Sequence, residues 1–229
     1  MRKSELHAAF VSAVRLTSHN LPKPLSSHLA SGVSTRISLA SSTKLPLKAN
    51  SVHAIIASPP YCTRLDYVKA TLPELAVMGL THDDVRSLRD TMIGTPTMFG
   101  LADHGGPERW GSKTKALIDE VAAHSSKASA TYYKKYYLQY FGGMWTSLAE
   151  LRRVVKPGRS AVMVVQDSYY KDVHVDLPAL IGDMSERAGW ASWERLDFKV
   201  PRTMAAIHPG SRRYRQDFRA VESAVILHK

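Results

Sequence analysis

Residues 55–67 read IIASPPYCTRLDY, two prolines and a tyrosine placed directly after a short run of strand formers. Proline has no N–H to give to a sheet ladder, so a strand running into Pro59 and Pro60 must stop there. The strand itself is SVHAIIAS (51–58), with Val52, Ile55 and Ile56 expected to be largely buried. Before it, residues 4–19 carry Leu6, Phe10 and Val14 at helical spacing and predict an amphipathic helix. HNLPKPLSSHLASG is a loop or linker, and TRISLAS (35–41) predicts a short strand. After it, residues 72–93 predict a helix in two pieces around Gly79. A Gly- and Pro-rich stretch follows, and residues 114–155 then carry a long helical pattern, broken near SSKASA and FGG. KPGR (156–159) reads as a helix stop and SAVMVVQDS (160–168) as the strongest strand. Another helix, DLPALIGDMSERAGW (176–190), precedes two late strands, WERLDFKV (193–200) and ESAVILHK (222–229). This alternation predicts an α/β fold: a mostly parallel sheet with an antiparallel edge. Ligands of such sheets sit outside the carboxyl ends of the strands, where both Ser58–Tyr61 and Gln166–Ser168 fall.

Composition narrows the field. Lys and Arg outnumber Asp and Glu by 31 to 20, a net charge of +11, which suits a polyanionic partner through release of its condensed counterions. A merely soluble basic surface is the competing reading. A hydrophobic fraction of 44% is that of a folded domain. The lone cysteine, Cys62, excludes an internal disulfide framework and a cysteine-cluster zinc site, and a reducing cytoplasm fits it best. No apolar run approaches the roughly 18 residues of a membrane span. The ten histidines are scattered without metal-ligand spacing, so no metal site is expected.

Other candidate residues carry two readings each. Asp66 and Tyr67 either orient a ligand beside the turn or cap and pack locally. Asp167 and Ser168 either line a pocket or form a plain polar strand end. TYYKKYYLQY, with Lys134 and Lys135, is either a phosphate-gripping and base-stacking face or an amphipathic helix with solvated lysines. Arg212, Arg213 and Arg215 cluster in PGSRRYRQDFR, which favours contact with phosphate. Cys62 has no base nearby to activate it as a nucleophile.

Ser58-Pro59-Pro60-Tyr61 after an apolar strand resembles the catalytic motif of the amino-methyltransferases that modify cytosine N4 or adenine N6 in DNA. The run LASSTKLPLKANSVHAIIASPPYCTRLDY resembles that family's passage from its third strand through a Leu-Pro-Leu turn to the catalytic loop. YFGGMWTSLAELRRVVKPGRSAVMVVQDS resembles its following helix, turn and fifth strand, and ERAGW with RAVESAVILHK the close of its catalytic domain. The resemblance covers roughly 35–229, weakly between 95 and 130. It implies a Rossmann-like methyltransferase sheet and S-adenosylmethionine as methyl donor. It further implies that the Ser58 side chain and Pro59 carbonyl accept the amino hydrogens of the target, while Pro60 stiffens the turn and Tyr61 stacks on a base flipped out of double-stranded DNA. Serine at the first position leans toward cytosine N4. Asp167 and Ser168 would then line the cofactor or base pocket, and the irregularity of 95–130 and its place after the loop make it a candidate target-recognition insertion, following an N-terminal helix and linker (1–34). An RNA methyltransferase, a degenerate fold that only binds DNA or a partner, and a complete enzyme with an unrecognised cofactor loop are the alternatives.

One part of the family pattern is missing. MFGLADHGG, YFGGMW and IHPGSRR do not follow a strand as the family's F-x-G-x-G cofactor loop does, and ASS (40–42) stands where its third strand carries an acid. In the family's sheet order, 3-2-1-4-5-7-6, the missing first and second strands lie between the portions found here. A sheet lacking them exposes apolar edges and unpaired backbone groups. Completion by a second polypeptide is therefore expected: a hetero-oligomeric split enzyme whose partner supplies the cofactor loop.

Overall fold

The computed structural model describes residues 3–20, 34–96, 106–200 and 220–229. The chain divides into two units, Met1–Leu39 and Ala40–Lys229. The first holds helix α1 (Lys3–Asn20), on which Leu6, Phe10 and Val14 are all exposed, as an amphipathic helix with an uncovered apolar stripe would have them. The strand predicted at 35–41 does not form. Ser41 makes a single bridge to Lys44, and Ile37 and Leu39 are 95% and 100% exposed. With no neighbouring strand among the described residues to accept it, the next stretch bonds to side chains instead. Leu45 N donates to Glu150 Oε1 (2.7 Å), and the Leu45 and Leu47 carbonyls accept from Arg153 Nη2 (3.3 and 2.9 Å).

Strand β1 (Val52–Ala57) follows, then the short helices α2 (Tyr67–Ala70) and α3 (Leu72–Val77), and α4 (His82–Thr91). The break around Gly79 falls as predicted, and α4 opens on a reciprocal cap: Asp84 N donates to Thr81 Oγ1, and Thr81 N to Asp84 Oδ2. Helices α5 (Pro107–Trp110) and α6 (Ser112–Ala123) follow among the described residues. Trp110, Leu117, Ile118 and Val121 are buried in the core. A π-helical turn (Ser129–Tyr133) leads into α7 (Lys134–Val154), which runs unbroken through Gly142 and Gly143, against expectation. A Cβ at Gly143 would lie 3.0 Å from Ile93 Cγ1, so the glycine there serves close packing rather than a break.

Strand β2 (Val155–Gln166) begins five residues earlier than predicted, and KPGR lies inside it as a bulge. Val52 pairs with Val155 and Ala54 with Ser160, while Gly158, at φ 68°, donates its N–H to the Lys229 carbonyl. The hairpin β3 (Ser168–Tyr170) and β4 (Val173–Val175), helix α8 (Leu177–Arg187), β5 (Ser192–Val200) and β6 (Ala220–His228) complete the unit. The main sheet has the order β1-β2-β6-β5, with β1 and β2 parallel and the other pairs antiparallel.

Register separates the two faces of this sheet. Ala161, Met163, Val165, Val225 and Leu227 are buried, with Ile55 and Trp193 beside them, under α7 and α8. On the other face, Ile56 stands opposite Val162, and Val162 opposite Ile226; Ala224 stands opposite Val164 and Leu196. That face is open: Ile56 is 83% exposed, Leu196 52% and Phe198 54%. The expectation that Ile56 is buried is thus corrected. Among the described residues β1 pairs on one side only, and α2, α3 and α4 contribute no buried residue.

The packed face has no room to spare where α8 meets β5. A Cβ at Gly182 would fall 2.3 Å from the Trp193 ring. Alanine gains about 1 kcal/mol of helix propensity over glycine, but overpacking costs about 1–3 kcal/mol. Gly182→Ala is therefore expected to lower the urea midpoint and alter the near-ultraviolet circular dichroism of the tryptophans.

Candidate active site

The turn after β1 makes one backbone bond of its own, from Thr63 N to the Tyr61 carbonyl (2.8 Å). Pro59 and Pro60 donate nothing, so the loop must be fixed by groups that donate to its carbonyls or accept from its few N–H groups. Hydroxyls do most of this. Tyr140 Oη donates to the Pro60 carbonyl (2.7 Å) and Ser168 Oγ to the Cys62 carbonyl (3.0 Å). Tyr61 N donates to Tyr67 Oη (3.3 Å) and Arg64 N to Tyr136 Oη (3.1 Å). Tyr136 and Tyr140 stand four residues apart on α7, hence on one face, and both are fully buried.

Ser58 is exposed at the end of β1, and its Oγ donates to the Val164 carbonyl of β2 (3.2 Å). A carbonyl oxygen only accepts, so in this bond the serine hydroxyl donates, and its Oγ lone pairs remain available to accept. Tyr61 Oη donates to Glu222 Oε1 at 2.6 Å, within the range of a charge-assisted bond. Burial, and then the Glu222 carboxylate, hold the Tyr61 phenol above its ordinary pKa, with the nearby Ser58 hydroxyl acting in the opposite sense. Cys62 is buried, and burial pushes its thiol far up, so it is no thiolate nucleophile.

Around the loop, the predicted residues are distributed as follows. Asp66 caps α2, accepting from Lys69 N (2.9 Å), and pairs with Arg89 through Oδ2 (2.6 Å). Asp167 is buried: Oδ1 accepts from Val221 N (2.9 Å), and Oδ2 lies 2.9 Å from His174 Nε2. Lys134 is half-buried and Lys135 exposed at the start of α7. Just before them, the Arg64 guanidinium lies over the rings of Tyr132 and Tyr133 and donates to both hydroxyls. Arg212, Arg213 and Arg215 lie outside the described residues. Glu222, Tyr140, Arg64 and Arg89 join the site without having been singled out from sequence. Their contacts span 161, 80, 68 and 23 residues, and no local pattern announces such partners.

Among the described residues no group of three metal-ligating side chains gathers, and no helix is long and apolar enough to cross a membrane. Nor does any described strand lead into a glycine-rich turn. β1 ends in Pro-Pro, β2 in Gln166-Asp167-Ser168, and Gly142 and Gly143 lie within α7. The side chains of Asp167 and Ser168 are bonded within the chain, Asp167 to Val221 N and Ser168 to the Cys62 carbonyl.

No family model matches the chain. It is similar to the type II methyltransferase M.AvaI of Nostoc sp. and to that of Anabaena variabilis. In each case 24% of 147 residues are identical, covering 59% of this chain and 30% of the relative. It is also similar to the type II methyltransferase M.BsoBI of Geobacillus stearothermophilus, 41% identical over 44 residues, which is 19% of this chain and 9% of that protein. The chain thus spans less than a third of the length of these curated relatives. Its mixed α/β sheet is compatible with a methyltransferase fold.

The buried acids under the loop make stability alkali-sensitive. Burial raises the Cys62 thiol and the Tyr136, Tyr137 and Tyr140 phenols, so the folded chain keeps protons that the unfolded chain releases above about pH 8.5 (thiol) and 10 (phenol). Stability is therefore full below those values and falls as pH rises through them, by about 1.4 kcal/mol per pH unit for each group engaged. Urea midpoints measured from pH 7 to 10.5 are expected to decline, less steeply above pH 10 in Tyr136→Phe. Iodoacetamide at pH 8 is expected to label Cys62 only after unfolding.

Proposed function

We propose that this chain is the catalytic-loop half of a split DNA amino-methyltransferase, acting on cytosine N4 in preference to adenine N6. The observation that carries the reading is Ser58: its proton is given to the Val164 carbonyl, which leaves its oxygen as an acceptor at the carboxyl end of an open-edged strand. The similarity to type II methyltransferases supports the same class.

An exocyclic amino group is a poor nucleophile because its lone pair is delocalised into the ring. Acceptors at Ser58 Oγ and the Pro59 carbonyl, taking hydrogen bonds from that N–H2, favour the tetrahedral nitrogen needed for attack on a methyl sulfonium. S-adenosylmethionine, when bound, supplies that methyl group. This chain holds the amino group, with Tyr140 and Ser168 keeping the loop from reorganising. Tyr61 is the platform for the flipped base, and Tyr67, whose hydroxyl accepts from Tyr61 N, fixes that platform. Asp66 acts beside it by tethering α2 to α4 through Arg89. Asp167 and Ser168 form the wall of the pocket at the end of β2. Lys134, Lys135 and the arginines at 212, 213 and 215 meet phosphate, and 95–130 contributes to target choice.

A second polypeptide supplies the glycine-rich cofactor loop and the strands that pair with β1. It covers the open face at Ile56, Leu196 and Phe198, and α1 packs against it through Leu6, Phe10 and Val14. The test is to purify the tagged chain gently from its native host and assay what accompanies it. A stoichiometric partner, with binding of S-adenosylmethionine and methylation of plasmid DNA by the complex only, is the expected result. Ser58→Ala and Tyr61→Ala are expected to abolish methylation, by a thousandfold or more, while DNA binding stays within a few-fold. A one-to-one complex unable to bind S-adenosylmethionine, or one that methylates tRNA and not DNA, would sink the reading.

A further inference from the structure

Tyr61 is held at both ends. Its backbone N–H is bound by Tyr67, and its hydroxyl by a carboxylate two strands away. β6 runs antiparallel to β2, so it begins where β1 and β2 end, and Glu222 stands there between Gln166 of β2 and Phe198 of β5. This register places it on the open face of the sheet, level with the proline turn. Glu222 Oε1 reaches Tyr61 Oη at 2.6 Å. A carboxylate is acceptor-only, so this bond has a single sense, with the phenol donating.

We propose that Glu222 is the positioning residue of Tyr61, setting the ring plane before an unpaired base arrives to stack on it; this rests on the base-platform role given to Tyr61 above. A free tyrosine at a loop tip has rotamers to lose on binding, and a ring tethered at its hydroxyl, on a backbone that is itself bonded, has lost them already. The charge of Glu222 is a poor alternative reason for its presence. In a chain of net charge +11 acting on a polyanion, a carboxylate at the mouth of the site opposes phosphate. What Glu222 contributes is its hydrogen bond, which the neutral oxygen of glutamine also makes.

The full chain is prepared with 3-fluorotyrosine at position 61 alone, with Glu222 intact and as Glu222→Gln and Glu222→Ala. Its fluorine resonance is followed by NMR while a short oligonucleotide bearing one unpaired cytosine is added. Glu222→Ala is expected to move the resonance of the free chain and to raise the oligonucleotide Kd about tenfold. Glu222→Gln is expected to leave the resonance near its original position and to bind at least as tightly as the parent. An unmoved resonance in Glu222→Ala, or equal losses in both variants, would overturn the proposal. If Glu222→Ala does not fold, Tyr61→Phe removes the same bond from the other side. It must then weaken binding about tenfold, and a Kd within twofold of the parent overturns the proposal. A parent resonance that ignores the oligonucleotide, yet moves in Glu222→Ala, retains the positioning bond and overturns the base-platform reading instead.

Discussion

The organisation of the site follows from one deficit, the missing backbone donors of Pro59 and Pro60. A turn with two successive residues that donate nothing cannot continue a sheet ladder, so neighbours must fix much of its shape. Here hydroxyl groups impose it: Tyr140 on Pro60, Ser168 on Cys62, Tyr136 on Arg64 and Tyr67 on Tyr61. Two of these come from one face of α7, which explains why so long a helix lies beneath the turn and why its tyrosines are buried deeply enough to stay protonated.

The sheet shows a matching asymmetry. One face is filled by α7 and α8 and leaves no space even for a methyl group at Gly182. The opposite face carries Ile56, Leu196 and Phe198 in the open, and among the described residues β1 has a neighbour on one side only. Exposed apolar surface continuous with a free strand edge is a liability in an isolated chain and an asset in a chain that is covered by another. The Ser58–Tyr61 turn lies at that boundary, where a complementary surface would also enclose it.

Much of the fold was legible in the residues. The β1 and β2 strands, the α3–α4 break at Gly79, α8 and the two late strands fall within a few residues of their expected places, because hydrophobic period and Gly or Pro punctuation are local signals. The misses share a cause. TRISLAS has the composition of a strand but, among the described residues, no strand to pair with; FGG has the composition of a break, but Gly143 serves the packing of Ile93. KPGR reads as a stop, yet its residues bulge out of a strand tied down by Lys229. In each case tertiary neighbours overrode local preference.

By itself, then, the sequence determined that an apolar strand ends on Ser58-Pro59-Pro60-Tyr61, since proline geometry and the absence of its N–H are properties of the residue alone. It determined equally that the chain is basic and forms an α/β fold. Only the tertiary structure decided which way the Ser58 proton points, which side chains hold the loop, and that Glu222 meets Tyr61 across 161 residues of chain. Those are matters of direction and long-range contact. They depend on the register of β6 against β2 and the rotation of α7 about its axis, which no local run of residues encodes.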